Sequence, residues 1–155
     1  SISFTAAYVE IEGTYLVPED SNFQTVEEVD SAGMRIAVSD RAAYDLYLTR
    51  SLKNATLHRA EGLPAAFELF KSGGFDALAG LRPALLENSK TMDGTRVVDG
   101  CYTSIQQALG TKLENTAGAA YLQNFVEEIT SNGFVEGLLD CHGVNGKLQV
   151  AKGTR

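Results

Sequence analysis

The chain opens on a long run of β-branched and aromatic residues, Phe4–Val17, broken only by isolated polar positions, which predicts one extended strand ending at Pro18. The period then changes. Phe23, Val26 and Val29 recur at helical spacing behind the polar Asp20-Ser21-Asn22, with Glu27 and Glu28 on the other side, and predict a short helix that Ala32-Gly33 stops. Met34–Val38 is a compact apolar strand. Tyr44, Leu48 and Leu52 share one face of a helix predicted over Arg41–Asn54, and Thr56–His58 reads as a short strand. Leu63–Ser72 is a second helix, with Pro64 in its first turn and Ala66, Leu69 and Phe70 inward; Gly73-Gly74 ends it. Phe75–Gly80 is a buried strand, and Arg82-Pro83 opens a short helix through Leu86. Farther on, Arg96–Val98 and Tyr102–Leu109 are extended. Thr116–Ser131 is helical through Leu122, Phe125, Val126 and Ile129, Phe134–Asp140 adds a helical turn or two, and Leu148–Val150 is a last short strand.

Strand–helix alternation from residue 34 to residue 86 predicts βαβ units on a parallel sheet, hence an α/β lobe over residues 18–96. Residues 1–17 and 97–155 read as hinge strands and part of another lobe. Composition agrees with a folded chain: 155 residues, 44% hydrophobic and 21% charged, enough for a substantial core. The formal charge of −7 and the lack of a Lys/Arg cluster argue against nucleic acid as a partner. No apolar run reaches the roughly 20 residues of a membrane span. The start at Ser1, without Met or a signal peptide, reads as a processed chain or one cut from something longer. Cys101 and Cys141 are too few for a disulfide scaffold and lack zinc spacing; they read as two free core thiols or, in an oxidising compartment, as one bridge. No cofactor motif stands out, and neither His58 nor His142 sits in a catalytic pattern.

The order of the pieces resembles the amino-acid-type solute-binding proteins of ABC importers, the type 2 periplasmic binding protein fold. Five segments carry the likeness: Ser3–Tyr8 where the chain leaves the first lobe, Ser21–Val38 at the entry to the second, the helix–Gly–Asp-Ala passage Phe67–Ala77, the returning strand Val97–Gly110, and the C-terminal helix within Gly118–Val135. The resemblance implies a complete second lobe with a remnant of the first. It also implies an extracytoplasmic or periplasmic, non-catalytic receptor that closes two lobes on a small ligand and docks on a membrane permease. A sensing module of a membrane receptor and a dehydratase-like enzyme are the alternatives on this fold.

The resemblance places ligand contacts at Ser39, Asp40, Arg41, Ala42 and Ala43, where a helix start favours a carboxylate. Ala42 and Ala43 stand where many members have hydroxyl residues. Gly80 and Arg82 follow the second family position. Leu81 aligns with the acid that meets a ligand ammonium group, so the expectation is an anionic ligand held by Arg41 and Arg82 and not a plain cationic amino acid, the alternatives being a solvated Arg41 at a helix start and an Arg82 paired at the surface. Asp76 reads as structural. With part of the first lobe absent, Ile105, Leu109, Leu122, Phe125, Val126 and Ile129 would face water, and a homodimer would cover them.

Overall fold

The computed structural model describes residues 1–152. The chain divides into two compact units: Glu12–Ser104, and Ser1–Ile11 with the chain from Ile105 onward.

The Glu12–Ser104 unit is built on strands β1 (Ile2–Pro18, its second half), β2 (Arg35–Ser39), β3 (Thr56–Ala60), β4 (Ala77–Leu81) and β5 (Thr95–Val97) in the order β3-β2-β4-β1-β5. β2 pairs in parallel with β3 (Ile36↔Leu57) and with β4 (Ala37↔Leu78), while β1 runs antiparallel to β4 and β5. The βαβ expectation holds, with Ile36, Leu57 and Leu78 in one sheet. Helices α1 (Ala43–Ser51), α2 (Leu63–Lys71) and α3 (Arg82–Thr91) connect the strands.

Because successive strand residues face opposite sides, each strand supplies two cores. Tyr15, Val17, Ile36 and Val38 pack on one side with Tyr44 and Leu48 of α1, and Leu16, Ala37 and Leu78 pack on the other with Ala66 and Phe70 of α2 and Leu85 of α3. The α2 residues buried are two of the three its spacing named. At the amino end of β2, Asp76 accepts the Arg35 N–H at 2.7 Å and returns its own N–H to the Arg35 carbonyl, a ladder role. His58 packs edge-on against Phe75, ring centroids 5.3 Å apart.

Three elements differ from expectation. Residues 23–29 form turns and a single bridge, Thr25 to Asp99. The carbonyls of Ser21 and Phe23 accept from the Arg96 guanidinium, and the Glu28 carboxylate accepts the Gln24 N–H, so local groups are spent outside a helix. Val26 and Val29 are still buried. α1 starts two residues late because Arg41 lies at φ 58°, the left-handed region. α3 runs on to Thr91, past the expected end at Leu86.

In the other unit the first half of β1 pairs with β7 (Gln149–Val150), register Val9↔Val150, and with β6 (Thr103–Lys112). Helices α4 (Thr116–Ser131) and α5 (Phe134–Cys141) complete it. The Asn115 carboxamide caps α4 by accepting the Gly118 N–H at 2.9 Å. The core is small: Val9, Val135 and Leu139, with Tyr8, Ile129 and Val150 against it. Of the expected apolar face, Val126 is buried and Ile129 half-buried, while Phe125 is exposed beside Tyr121; Ile2, Phe4 and Leu113 are exposed as well. Cys101 and Cys141 are free and exposed, so neither the bridge nor the pair of core thiols expected from sequence is present.

Candidate functional site

Parallel strands in one sheet end at the same edge, and in open α/β sheets that carboxyl edge is where ligands are met. Here β2 ends at Ser39 and β4 at Leu81. Carrying the register Ala37↔Leu78 two residues on brings Ser39 level with Gly80, one strand spacing away. The two groups of expected contact residues, Ser39–Ala43 and Gly80–Arg82, therefore lie on one edge although some forty positions separate them in sequence.

The turn after β2 is held from within. Asp45, in the first turn of α1 and only 2% exposed, accepts the Arg41 backbone N–H at 2.9 Å. The same carboxylate pairs with Arg59 of β3 at 2.9 Å, and the Thr49 hydroxyl donates to the Asp45 carbonyl at 2.7 Å. This clamp fixes Arg41 in its left-handed conformation and leaves its side chain 89% exposed, 3.6 Å from Asp40. Ser39 is buried, and Asp40 donates its N–H to the Ala60 carbonyl. α1 begins after Ala42 with no side-chain cap, so the N–H groups of Ala43 and its neighbours keep their donor capacity for an anion. Behind them the Tyr44 hydroxyl is buried without a full hydrogen bond; Ser39 approaches it closely enough only to temper the rise in its pKa that burial causes.

Arg82 is paired within the protein, shielded and not at the surface. Its Nε donates to Glu12 of β1 at 2.6 Å, and its Nη2 donates to the Gly100 carbonyl at 2.6 Å. The pair is largely shielded, its side chains 15% and 21% exposed. Arg82 thus brings little uncompensated positive charge, and Glu12 puts on this edge a carboxylate that the alignment through Leu81 lacked. Gly80 is required sterically: a Cβ there would stand 2.9 Å from Leu85, and its carbonyl takes the Tyr102 hydroxyl at 3.4 Å. Burial, first of all, raises the Tyr102 pKa well above that of a free phenol, so it serves here as a neutral donor.

Sequence reasoning missed Asp45, Arg59, Glu12 and Tyr102. Asp45 was readable in part, as an acid four positions after a polar turn and inside an apolar helix face. Glu12 was not, since its partner lies 70 residues on. Among the described residues no group of His, Cys, Asp and Glu could hold a metal, and no helix is long and apolar enough to cross a membrane.

No protein-family model matches the chain, and no curated protein matches it. Solved structures do. The ligand-binding core of GluR0 in complex with L-glutamate superposes with a TM-score of 0.74 at 17% identity, over 90% of this chain and 62% of that one. The ancestral amino acid-binding protein AncCDT-1, a precursor of cyclohexadienyl dehydratase, gives 0.69 at 19% identity, over 90% and 60%. The cysteine-binding protein of Campylobacter jejuni gives 0.69 at 17%, over 90% and 56%. The chain spans about 60% of the length of these structures. At such identities the likeness is one of fold, and the fold is that of the type 2 periplasmic binding proteins.

Proposed function

We propose that this chain is a solute-binding module for a small carboxylate-bearing ligand, an amino acid or an organic acid, met at the carboxyl edge of the Glu12–Ser104 sheet. The observation that carries the reading is the uncapped start of α1, held by the Asp45–Arg59 clamp beside Ser39 and level with Gly80. Backbone N–H groups of Ala43 and Tyr44 receive the ligand carboxylate, and the exposed Arg41 adds charge from outside. The compensated Arg82–Glu12 pair makes the edge suit a zwitterion as well as an anion. The neighbours' named ligands, glutamate and cysteine, are of this class and support the choice.

The module's role follows from the same reading: an extracytoplasmic receptor delivering solute to an ABC permease. A second copy, or the part of the fold that the neighbours have beyond this chain's coverage, covers Phe4, Tyr121 and Phe125. The dehydratase link of one neighbour supplies a second reading, an enzyme. At this edge Asp45 is tied to Arg59, Glu12 to Arg82 and Asp40 to Arg41 and Arg59, so no acid stands apart for such chemistry and the binding reading is preferred.

Calorimetry on the full protein tests the binding reading with glutamate, cysteine, succinate, lysine and the amide of any acid that binds. Saturable binding lost on amidation is expected. Tight binding of lysine with no response to the acids would overturn it. Arg41→Ala should weaken binding by about 1 kcal/mol if the side chain adds only outer charge.

A further inference from the structure

A second pocket, of about 190 Å³, lies wholly within the Glu12–Ser104 unit, walled by Tyr15, Tyr47 and Tyr102 and bordered by Glu27, Asp30 and Cys101. Tyr15 and Tyr102 meet at 4.7 Å between centroids, tilted by 48°, and Tyr47 lies nearly parallel to Tyr102 at 6.2 Å. Tyr15 is 1% exposed, yet its hydroxyl has no hydrogen bond among the described residues. Each phenol face carries negative potential. The Asp30 carboxylate accepts the backbone N–H groups of Lys53, Asn54 and Ala55, which fixes its position and keeps it ionised. Lys53 is the cation that acts on Asp30, but it is not part of the pocket wall; no Lys or Arg is. The wall thus combines aromatic faces, two carboxylates and an unused phenol oxygen.

We propose that this pocket binds a small organic ammonium ion, its charge over the rings of Tyr47 and Tyr102 and toward Glu27 and Asp30, with the Tyr15 oxygen open to an N–H where the ion has one. An anion is repelled by both carboxylates, and a neutral apolar guest gains nothing from them. The inference is independent of the reading of the carboxyl edge: the ion needs no carboxylate group, and of the groups it uses only Tyr102, whose hydroxyl donates to the Gly80 carbonyl, also borders that edge.

The two exposed thiols give the readout. Cys101 borders the pocket and Cys141 belongs to the other unit, so alkylation of the two can be compared in one sample. Tetramethylammonium and methylammonium are titrated at constant ionic strength into the whole protein, with tert-butyl alcohol as the neutral counterpart. Either cation should slow Cys101 alkylation saturably and leave Cys141 unchanged, and the alcohol should bind roughly tenfold more weakly. Tyr47→Phe should keep the effect, while Tyr47→Ala, at a position already 37% exposed and so tolerant of change, should lose most of it. Equal protection by the alcohol, no protection by either cation, or an unaltered response in Tyr47→Ala would overturn the proposal.

Discussion

Replacing Asp45 by Ala removes one carboxylate that does two jobs. It accepts the Arg41 N–H at 2.9 Å, and it pairs with Arg59 at 2.9 Å from a position 2% exposed. A hydrogen bond to a charged group contributes about 1.5–3 kcal/mol. The Arg59 partner is 39% exposed, so its charge can be rehydrated and its share discounted to about 1 kcal/mol. The expected loss is therefore about 2–4 kcal/mol, read as a lower urea midpoint at unchanged slope. Asp45→Asn, which keeps an acceptor for Arg41 but loses the charge, should cost about half as much. The clamp also holds Arg41 at φ 58°, a conformation that costs a non-glycine residue about 1 kcal/mol. Arg41→Gly should consequently be neutral or slightly stabilising, and more so in the Asp45→Ala background, where nothing offsets the strain. The double-mutant cycle measures that coupling. An Asp45→Ala loss below about 0.5 kcal/mol, or strictly additive effects with Arg41→Gly, would refute the clamp.

Glu12→Gln leaves the shielded Arg82 with a weaker acceptor and should cost about 1–3 kcal/mol in chemical unfolding, with the deficit shrinking when Arg82→Met is added. Gly13→Ala places a Cβ 2.7 Å from the Tyr102 ring and 3.1 Å from Thr103, and should cost about 1–3 kcal/mol together with a changed near-ultraviolet tyrosine signal. Asp30 feels desolvation, which alone would raise its pKa, but three backbone N–H donors and Lys53 together lower it below the ordinary 3.8. Its folded value is thus depressed, and the stability it contributes is present above pH 3.8 and lost as pH falls below that value. Asp30→Asn should flatten the acid limb of the unfolding free energy, and an acid limb identical to that of the parent protein would count against it.

The fold was legible where the sequence pattern and tertiary burial coincide. Tyr44 and Leu48 share a helix face in the sequence and a core in the structure, and α4 runs over the residues its period and Asn132-Gly133 predict. Legibility failed where a distant polar group decided the backbone. Val26 and Val29 have helical spacing and are buried, but Arg96 claims the Ser21 and Phe23 carbonyls from more than seventy positions away, and the segment folds as turns. The α1 start slipped for a related reason, since nothing local announces that Arg41 will sit at positive φ; the acid that stabilises it lies within the next helix.

The candidate site divides along the same line. Positions on the edge follow from where the parallel strands end, which their short apolar runs mark, so Ser39–Ala43 and Gly80–Arg82 could be placed together from sequence order and resemblance. Charge on the edge does not follow from register. Arg82 read alone is a cation awaiting an anion; joined to Glu12, it is half of a shielded neutral pair. A carboxylate whose partner is 70 residues distant leaves no trace in any local window, and its effect is to withdraw one of the two cations on which the expectation of an anionic ligand rested. For a binding site at a sheet edge, the backbone donors are therefore the part sequence can foresee, to within the two residues by which the α1 start slipped. The electrostatic selectivity has to be read from which long-range pairs the topology closes.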